Sequence, residues 1–221
     1  MNSIRPITFV EAPLAATATF AVAALAIVLL GVTQTMAAAA GVKSAAVLRD
    51  AELLPRGPER DQALSRALEA AVDAIGLAPE NGELKSRSAR ALYLQATTAT
   101  VPDISIPLLT AAETAAQDAS KTSPSDAGAP ATLAMIAYAR AGGPNAAMAA
   151  LVAKSYAGRA RDLETALWRA QAASVAWPAL DAGTKLAASD ETCALMKAPQ
   201  TRPRAMVVAK RVDVDCTLAR R

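Results

Sequence analysis

The chain has 221 residues, with 23 basic and 20 acidic side chains interleaved along it, two cysteines and no histidine. Nucleic-acid binding needs a clustered basic face, so this charge pattern argues against a nucleic-acid partner. The lack of histidine removes His-based proton transfer, His metal ligands and Ser-His or Cys-His nucleophile pairs, and two lone cysteines cannot complete a zinc site, so we predict no enzyme activity, metal or cofactor.

The first predicted element is a membrane anchor at residues 12–42, preceded by a cytoplasmic segment at residues 1–11. No charged residue lies between Glu11 and Lys43, and the most apolar stretch is Phe20–Val32. The hydrocarbon core of a bilayer needs about 20 mainly apolar residues in helical form, and this run supplies them. We therefore expect a single-pass protein of the inner (cytoplasmic) membrane.

A cleaved signal peptide is the alternative interpretation of the same run. Phe20–Val32 fits the apolar core of such a peptide, and Thr35–Gly41 could fit its small-residue exit. A signal core is about 7–15 residues long, however, and the uncharged run is longer than that. Its length favours an uncleaved anchor, and mass measurement of the mature protein distinguishes the two.

The remaining chain is predicted to be all-α. Alanine makes up about a quarter of the residues and aromatic residues only 3%; alanine is the best helix former, and strands need more valine, isoleucine and aromatic residues. Proline and glycine divide a repeat domain, residues 43–199, into helices at 43–54, 59–75, 79–97, 108–121, 131–141, 146–156 and 161–177, and one that ends near Lys197. Residues 98–107 are predicted to form an extended connector.

Residues 200–221 are predicted to form a short extended tail, because Val212, Val214 and Cys216 alternate with aspartates. Cys193 and Cys216 can form a disulfide in an oxidising compartment, and closing that loop is worth about 3 kcal/mol in the chain-entropy model. Two unrelated buried thiols are the alternative. Because the apolar leader and the cysteine pair agree, we expect the residues beyond 43 to lie in the periplasm.

A shift of 45 residues aligns two parts of the chain with each other. The matches combine small residues with proline and tyrosine: Ala67, Ala71, Ala74, Pro79, Ala89 and Tyr93 fall on Ala112, Ala116, Ala119, Pro124, Ala134 and Tyr138. Alanine matches alone are weak in an alanine-rich chain, but the proline and tyrosine matches strengthen them. Helical hairpins in series with such a period indicate a repeat architecture.

This pattern resembles a degenerate tetratricopeptide repeat, in which small residues let the two helices of a hairpin approach and a proline opens the next hairpin. Ala67, Ala74 and Pro79 match the family pattern, as do their equivalents 45 residues later, whereas Lys85 stands where the family commonly has tryptophan. The resemblance covers residues 43–177 and implies an array of antiparallel helical hairpins with a concave protein-binding surface.

The resemblance also implies which residues line that surface. Arg87, Arg90 and Tyr93 lie three or four residues apart and share one helical face, and Met135 and Tyr138 occupy the equivalent face of the next repeat. Arginine and tyrosine are enriched at binding hot spots, so we predict that these five residues bind a protein partner with an acidic or extended segment. The alternative is that both tyrosines pack between helices.

Residues Leu151–Asp181 look like the end of small repeat-like proteins associated with bacterial surface-polysaccharide loci. The points of likeness are Ser155, Tyr156, Arg169 and the sequence WPALD at 177–181. This resemblance implies a cellular setting rather than a chemistry. The sequence thus predicts a membrane-anchored, periplasm-facing scaffold for protein–protein interaction in cell-envelope or surface-polysaccharide assembly; the alternative is an exported soluble protein that binds a small or polymeric ligand.

Overall fold

Nine α-helices form the part of the chain that the structure, a computed structural model, describes: residues 11–160 and 162–216. They are α1 (Glu11–Leu53), α2 (Pro58–Leu77), α3 (Gly82–Thr98), α4 (Pro102–Thr122), α5 (Gly128–Ala141), α6 (Ala146–Ala157), α7 (Leu163–Ala176), α8 (Ala182–Lys197) and α9 (Arg202–Val212). A short 3-10 turn, Trp177–Ala179, joins α7 to α8. No strand occurs in these residues, and the prediction of an all-α fold is confirmed.

Most of the helices begin at residues suited to that position. Asn81, Asn145, Asp162 and Asp181 cap α3, α6, α7 and α8 by accepting hydrogen bonds from backbone N–H groups of the first turn. Such caps satisfy donors that the helix itself leaves unpaired. At the other end of α5, Gly142 has φ 71°, a left-handed conformation that glycine adopts without strain and that ends the helix.

The helices are arranged as antiparallel hairpins in series. Each helix packs against the next in the chain, and the odd-numbered helices α3, α5, α7 and α9 also pack against one another in sequence. The eight alanines of the 45-residue match are at most 1% exposed: Ala67, Ala71, Ala74, Ala89, Ala112, Ala116, Ala119 and Ala134. The predicted hairpin array is therefore confirmed, and the tetratricopeptide assignment itself stays a prediction.

The predicted anchor and the first predicted domain helix are one continuous helix. α1 runs through residues 42 and 43, where the sequence placed the boundary between them. Beyond Met36 one face of α1 is buried at intervals of four and three residues: Ala37, Gly41, Ser44, Leu48 and Ala51. A Cβ on Gly41 would lie 3.0 Å from the Leu84 side chain, so glycine at this position leaves room for the close approach of α3.

Two segments predicted to be extended are helical. The connector predicted at residues 98–107 is the end of α3, a three-residue link and the start of α4. Pro102 opens α4, a position where the missing N–H costs nothing, and Pro107 is tolerated inside it. The tail predicted from residue 200 begins with α9, and only residues 213–216 follow that helix in the described chain.

Cys193 of α8 and Cys216 are joined by a disulfide, as the sequence predicted. The bond ties the residues after α9 to the preceding helix across a sequence separation of 23. We expect Cys193→Ser to lower the free energy of unfolding by about 3 kcal/mol, because the unfolded chain regains the entropy of an open loop. Thermal denaturation under oxidising and reducing conditions measures this effect: the wild type should lose stability on reduction, and the variant should not.

Candidate partner-binding surface

Three of the five predicted partner-binding residues project from α3 toward α1 and α7. Arg90 is 6% exposed and Tyr93 is 5% exposed, so both lie in the interior of the hairpin array. Tyr138 of α5 is half-buried and interacts electrostatically with Tyr93, which places the two repeat-equivalent tyrosines near each other. The side of α3 that faces α1 and α7, here called the inner face, carries Arg87, Arg90 and Tyr93, and other helices cover Arg90 and Tyr93 there.

Trp168 of α7 covers these two residues. The Arg90 guanidinium carbon lies 4.6 Å from the Trp168 ring centroid, and the Tyr93 ring meets the same indole edge-on at 5.7 Å. The indole Nε1 donates a hydrogen bond of 3.0 Å to the Thr132 hydroxyl of α5. Trp168 thus contacts the Arg90 guanidinium and the Tyr93 ring of α3 and the Thr132 hydroxyl of α5, and it covers this part of the inner face.

A buried ion network, formed by Glu52, Arg90, Glu164 and Arg204, joins α1, α3, α7 and α9. The Glu52 carboxylate accepts hydrogen bonds from Arg90 at 2.5 Å and from Arg204 at 2.9 Å. Arg204 also donates to both carboxylate oxygens of Glu164 at 2.7 Å. The side chains of Glu52 and Arg90 are 7% and 8% exposed, so this pair is screened little by solvent. The network connects the first helix of the array directly to the last.

The chemistry of Tyr93 reflects its burial. Burial, together with the neighbouring Tyr138, raises the pKa of Tyr93 to about 12. The phenol is therefore neutral at physiological pH. Because the pKa of Tyr93 is higher in the folded chain than in the unfolded chain, its titration lowers the stability of the fold only as pH rises above about 10. A neutral, covered phenol contributes packing and one hydroxyl to the interior.

Arg87 lies at the edge of the inner face and contacts both α1 and the start of α7. Its guanidinium donates to the Gly41 carbonyl of α1 at 2.7 Å and to the Asp162 carboxylate of α7 at 3.1 Å, and it also pairs with Glu83. Burial alone would raise the pKa of Asp162, but hydrogen bonds from Thr165 and the charge of Arg87 outweigh it and hold that pKa below its usual value. Arg87 therefore fixes α1 against the start of α7.

The residues on which the sequence analysis based its likeness to surface-polysaccharide proteins form a second polar cluster. Arg169 pairs with Glu191 at 2.5 Å, donates to the backbone carbonyls of Ser155 and Gly158, and lies 4.5 Å from the Tyr156 ring centroid. Burial, and then the nearby Glu191 carboxylate, strongly raises the pKa of Tyr156. These contacts join α6, α7 and α8, so the likeness falls on residues that hold the fold together.

A cleft of about 310 Å³ remains open beside the buried ion network. It lies where α9 passes α5 and α7, and its walls combine apolar and basic side chains: Met135, Val175, Val207, Val208, Arg204 and Arg211, with Glu52, Gln171 and Ser174. Val207 is 61% exposed. Met135 is the predicted partner-binding residue that reaches this open surface.

The part of α1 from Leu25 to Met36 forms a second exposed surface. α1 is the one helix in the described chain that is long and apolar enough to cross a bilayer. Its large apolar side chains from Leu25 to Met36 are 50–69% exposed, because the domain begins to cover the helix only at Ala37. Leu30, Thr33 and Gln34 line a recess with the turn between α2 and α3, residues 77–82, so this turn lies level with that part of α1.

The described residues contain no group of three or more His, Cys, Asp or Glu side chains placed to hold a metal ion. No family model matches the chain, and no curated protein or solved structure is detectably similar to it. The functional interpretation therefore rests on the surfaces described above. The ion network and Trp168 were not anticipated from the sequence, because their partners come from helices far apart in the chain.

Proposed function

We propose that this protein is a membrane-anchored, periplasm-facing scaffold that holds a rigid array of helical hairpins at the membrane surface and binds a protein partner there. The observation that carries the proposal is the continuity of α1, which passes from an exposed apolar segment into the domain core without a linker. A domain fixed to its anchor in this way can present a partner at a defined height above the bilayer. Cell-envelope assembly is the proposed setting.

The position of the turn between α2 and α3 supports a specific depth for the anchor. This turn carries Glu80 and Asn81 and lies level with Leu30–Gln34, so the hydrocarbon boundary belongs near Val32. The uncharged run from Ala12 to Val32 then has 21 residues. At 1.5 Å per residue it is about 31 Å long, which matches the hydrocarbon thickness of about 30 Å.

The packing of residues 37–41 favours retention of the anchor over signal cleavage. Ala37 and Gly41 are buried against the domain inside an unbroken helix, within the segment that would be the exit of a signal peptide. The disulfide between Cys193 and Cys216 supports the oxidising side of the membrane for the domain. Both observations point to the same topology.

The cleft beside α9 is the proposed binding surface for the partner. It offers an apolar wall with Met135 and Val207 and a basic group, Arg211, at its edge. An apolar surface rimmed by a cation suits a segment that carries an apolar side chain next to an acidic one. The cleft thus suits the acidic, extended partner segment predicted from the sequence, but it lies nearer to α9 than the predicted residues of α3 do.

The anchor is tested by membrane extraction and mass measurement of the full-length protein from an export-competent host. We expect it to resist carbonate extraction and to keep its N-terminal residues, because an uncleaved apolar helix of this length does not leave the bilayer. Recovery of a soluble protein that lacks the leader would contradict the anchor and favour the exported binding protein.

Partner binding is tested by comparing two valine variants during purification from detergent-solubilised membranes. Val207→Asn changes the wall of the cleft, whereas the control Val72→Asn changes a similarly exposed valine on α2. We expect the wild type and the control to retain the same partner and Val207→Asn to lose most of it. Equal recovery with all three proteins would contradict the assignment of the cleft.

A further inference from the structure

The helix α9 has little apolar surface to hold it in place. Its buried residues are two alanines and one valine, Ala205, Val208 and Ala209, whereas Met206 and Val207 are exposed. α9 has 11 residues, and a helix of this length is marginal in water without tertiary packing. It therefore depends on further contacts to stay docked.

The apolar contacts of α9 form a small cluster of their own. Residues of α7, α8 and α9 make up this cluster: Ala166, Leu167, Ala170, Leu195, Ala205 and Val208. It is separate from the main core, which residues from α1 to α8 form. Release of α9 opens the small cluster and leaves the main core closed, which is the behaviour of a local unfolding unit.

Arg204 supplies the polar contact at the start of α9. It donates to the carboxylates of Glu52 and Glu164, and Glu52 also has Arg90 as a partner. The net gain from a buried ion pair is small, because both charges lose water when the pair forms. Arg204 therefore orients α9 but adds little to the free energy that keeps it docked.

The disulfide ties the other end of α9 to the array. Residues 198–201 link the start of α9 to α8, and Cys216, which follows the end of α9, is bonded to Cys193 of α8. α9 thus lies wholly inside a covalent loop, with both of its ends tied to the same helix. Opening the bond removes one of these ties and returns conformational freedom to the loop.

α9 is also one wall of the cleft that is proposed to bind the partner. Four of the nine residues that line the cleft belong to α9: Arg204, Val207, Val208 and Arg211. Arg211 donates a hydrogen bond of 3.2 Å to the Ser174 hydroxyl of α7, on the opposite wall. The cleft therefore exists only while α9 is docked.

We propose that the disulfide between Cys193 and Cys216 is a redox switch for this cleft: the closed bond keeps α9 docked, and reduction of the bond by a dithiol releases α9 and opens the cleft. The proposal rests on the proposed function, because it regulates the same surface. It extends that function by making partner binding depend on the redox state of the compartment.

The reaction is a thiol–disulfide exchange. A thiolate of the dithiol attacks one sulfur of the bond, and the second thiol of the reductant then displaces that sulfur. The bond between Cys193 and Cys216 becomes two thiols and the dithiol becomes a disulfide, so two electrons and two protons pass to this protein. Cys216 is half-buried and Cys193 is 6% exposed, so the reductant reaches the Cys216 sulfur first.

Hydrogen exchange of the full-length protein in mild detergent tests the switch without a partner. Both cysteines of the chain are in this bond, so dithiothreitol acts at one place, and thiol counting shows when reduction is complete. The amides of α9 should then exchange roughly tenfold faster or more, while those of α2 and α3 stay within about twofold. Reoxidation should restore the slow exchange. Unchanged protection of α9 in the fully reduced protein would overturn the proposal.

Partner retention gives a second measurement. The double variant Cys193→Ser with Cys216→Ser removes the bond without a reductant and so controls for effects of dithiothreitol on the partner. We expect the oxidised wild type to retain the partner, and the reduced wild type and the double variant to lose most of it. A partner that stays bound while α9 loosens would overturn the proposal. An oxidised protein that binds no partner contradicts the proposed function instead, and the exchange of α9 then decides the switch.

Discussion

Glu52→Gln is expected to lower the free energy of unfolding by about 3–5 kcal/mol. Glu52 is the acceptor for both Arg90 and Arg204, and its side chain is 7% exposed. Removing its charge leaves two cations together in the interior with only Glu164 to balance them. Breaking a buried ion pair is more costly than losing a surface pair, because the remaining charge is kept from water.

Asp50→Asn is the matched control, two residues away on the same helix. Asp50 pairs with Arg49 at 3.1 Å, but its side chain is 65% exposed, so the change should cost no more than about 1 kcal/mol. Thermal and urea denaturation, followed by circular dichroism at low and high salt, compare the two. A similar loss in both variants would show that Glu52 is solvated and that the network does not hold α1 against α9.

The helices could be predicted from the sequence because their signals are local. Alanine content, proline and glycine positions and polar caps such as Asn145 act within a few residues of the element that they define. The prediction of an extended connector at residues 98–107 was wrong: two prolines lie in this segment, but Pro102 opens a helix and does not mark an extended link. Proline fixes the backbone locally and is compatible with both.

The inner face could be predicted only in part. Helical spacing correctly places Arg87, Arg90 and Tyr93 on one side of α3, and the 45-residue repeat brings Tyr138 near Tyr93. Spacing does not reveal what lies opposite that side. Trp168, which contacts Arg90, and Arg204, which shares the Glu52 carboxylate with it, lie 78 and 114 residues after Arg90 in the sequence. The role of Arg90 and Tyr93 in partner binding stays a prediction, and their burial gives them a packing role.

This packing role leads to the second large expected effect, on Trp168. Trp168→Ala should lower the free energy of unfolding by about 3–5 kcal/mol, because it removes a 4% exposed indole and leaves a cavity between α3, α5 and α7. The change also removes the hydrogen bond that the Thr132 hydroxyl accepts from the indole, and it uncovers the Arg90 guanidinium.

The other tryptophan provides the control. Trp177 is half-buried at the end of α7, with the Lys185 ammonium 5.9 Å from its ring, so Trp177→Ala removes less buried area and should cost about 1–2 kcal/mol. Since the chain has two tryptophans, each variant also isolates the fluorescence of the other. Emission from Trp168 alone should be blue-shifted and poorly quenched by acrylamide, and emission from Trp177 alone should be red-shifted and readily quenched. Equal quenching of the two would mean that the inner face is open to solvent, and Arg90 and Tyr93 would then be available to a partner after all.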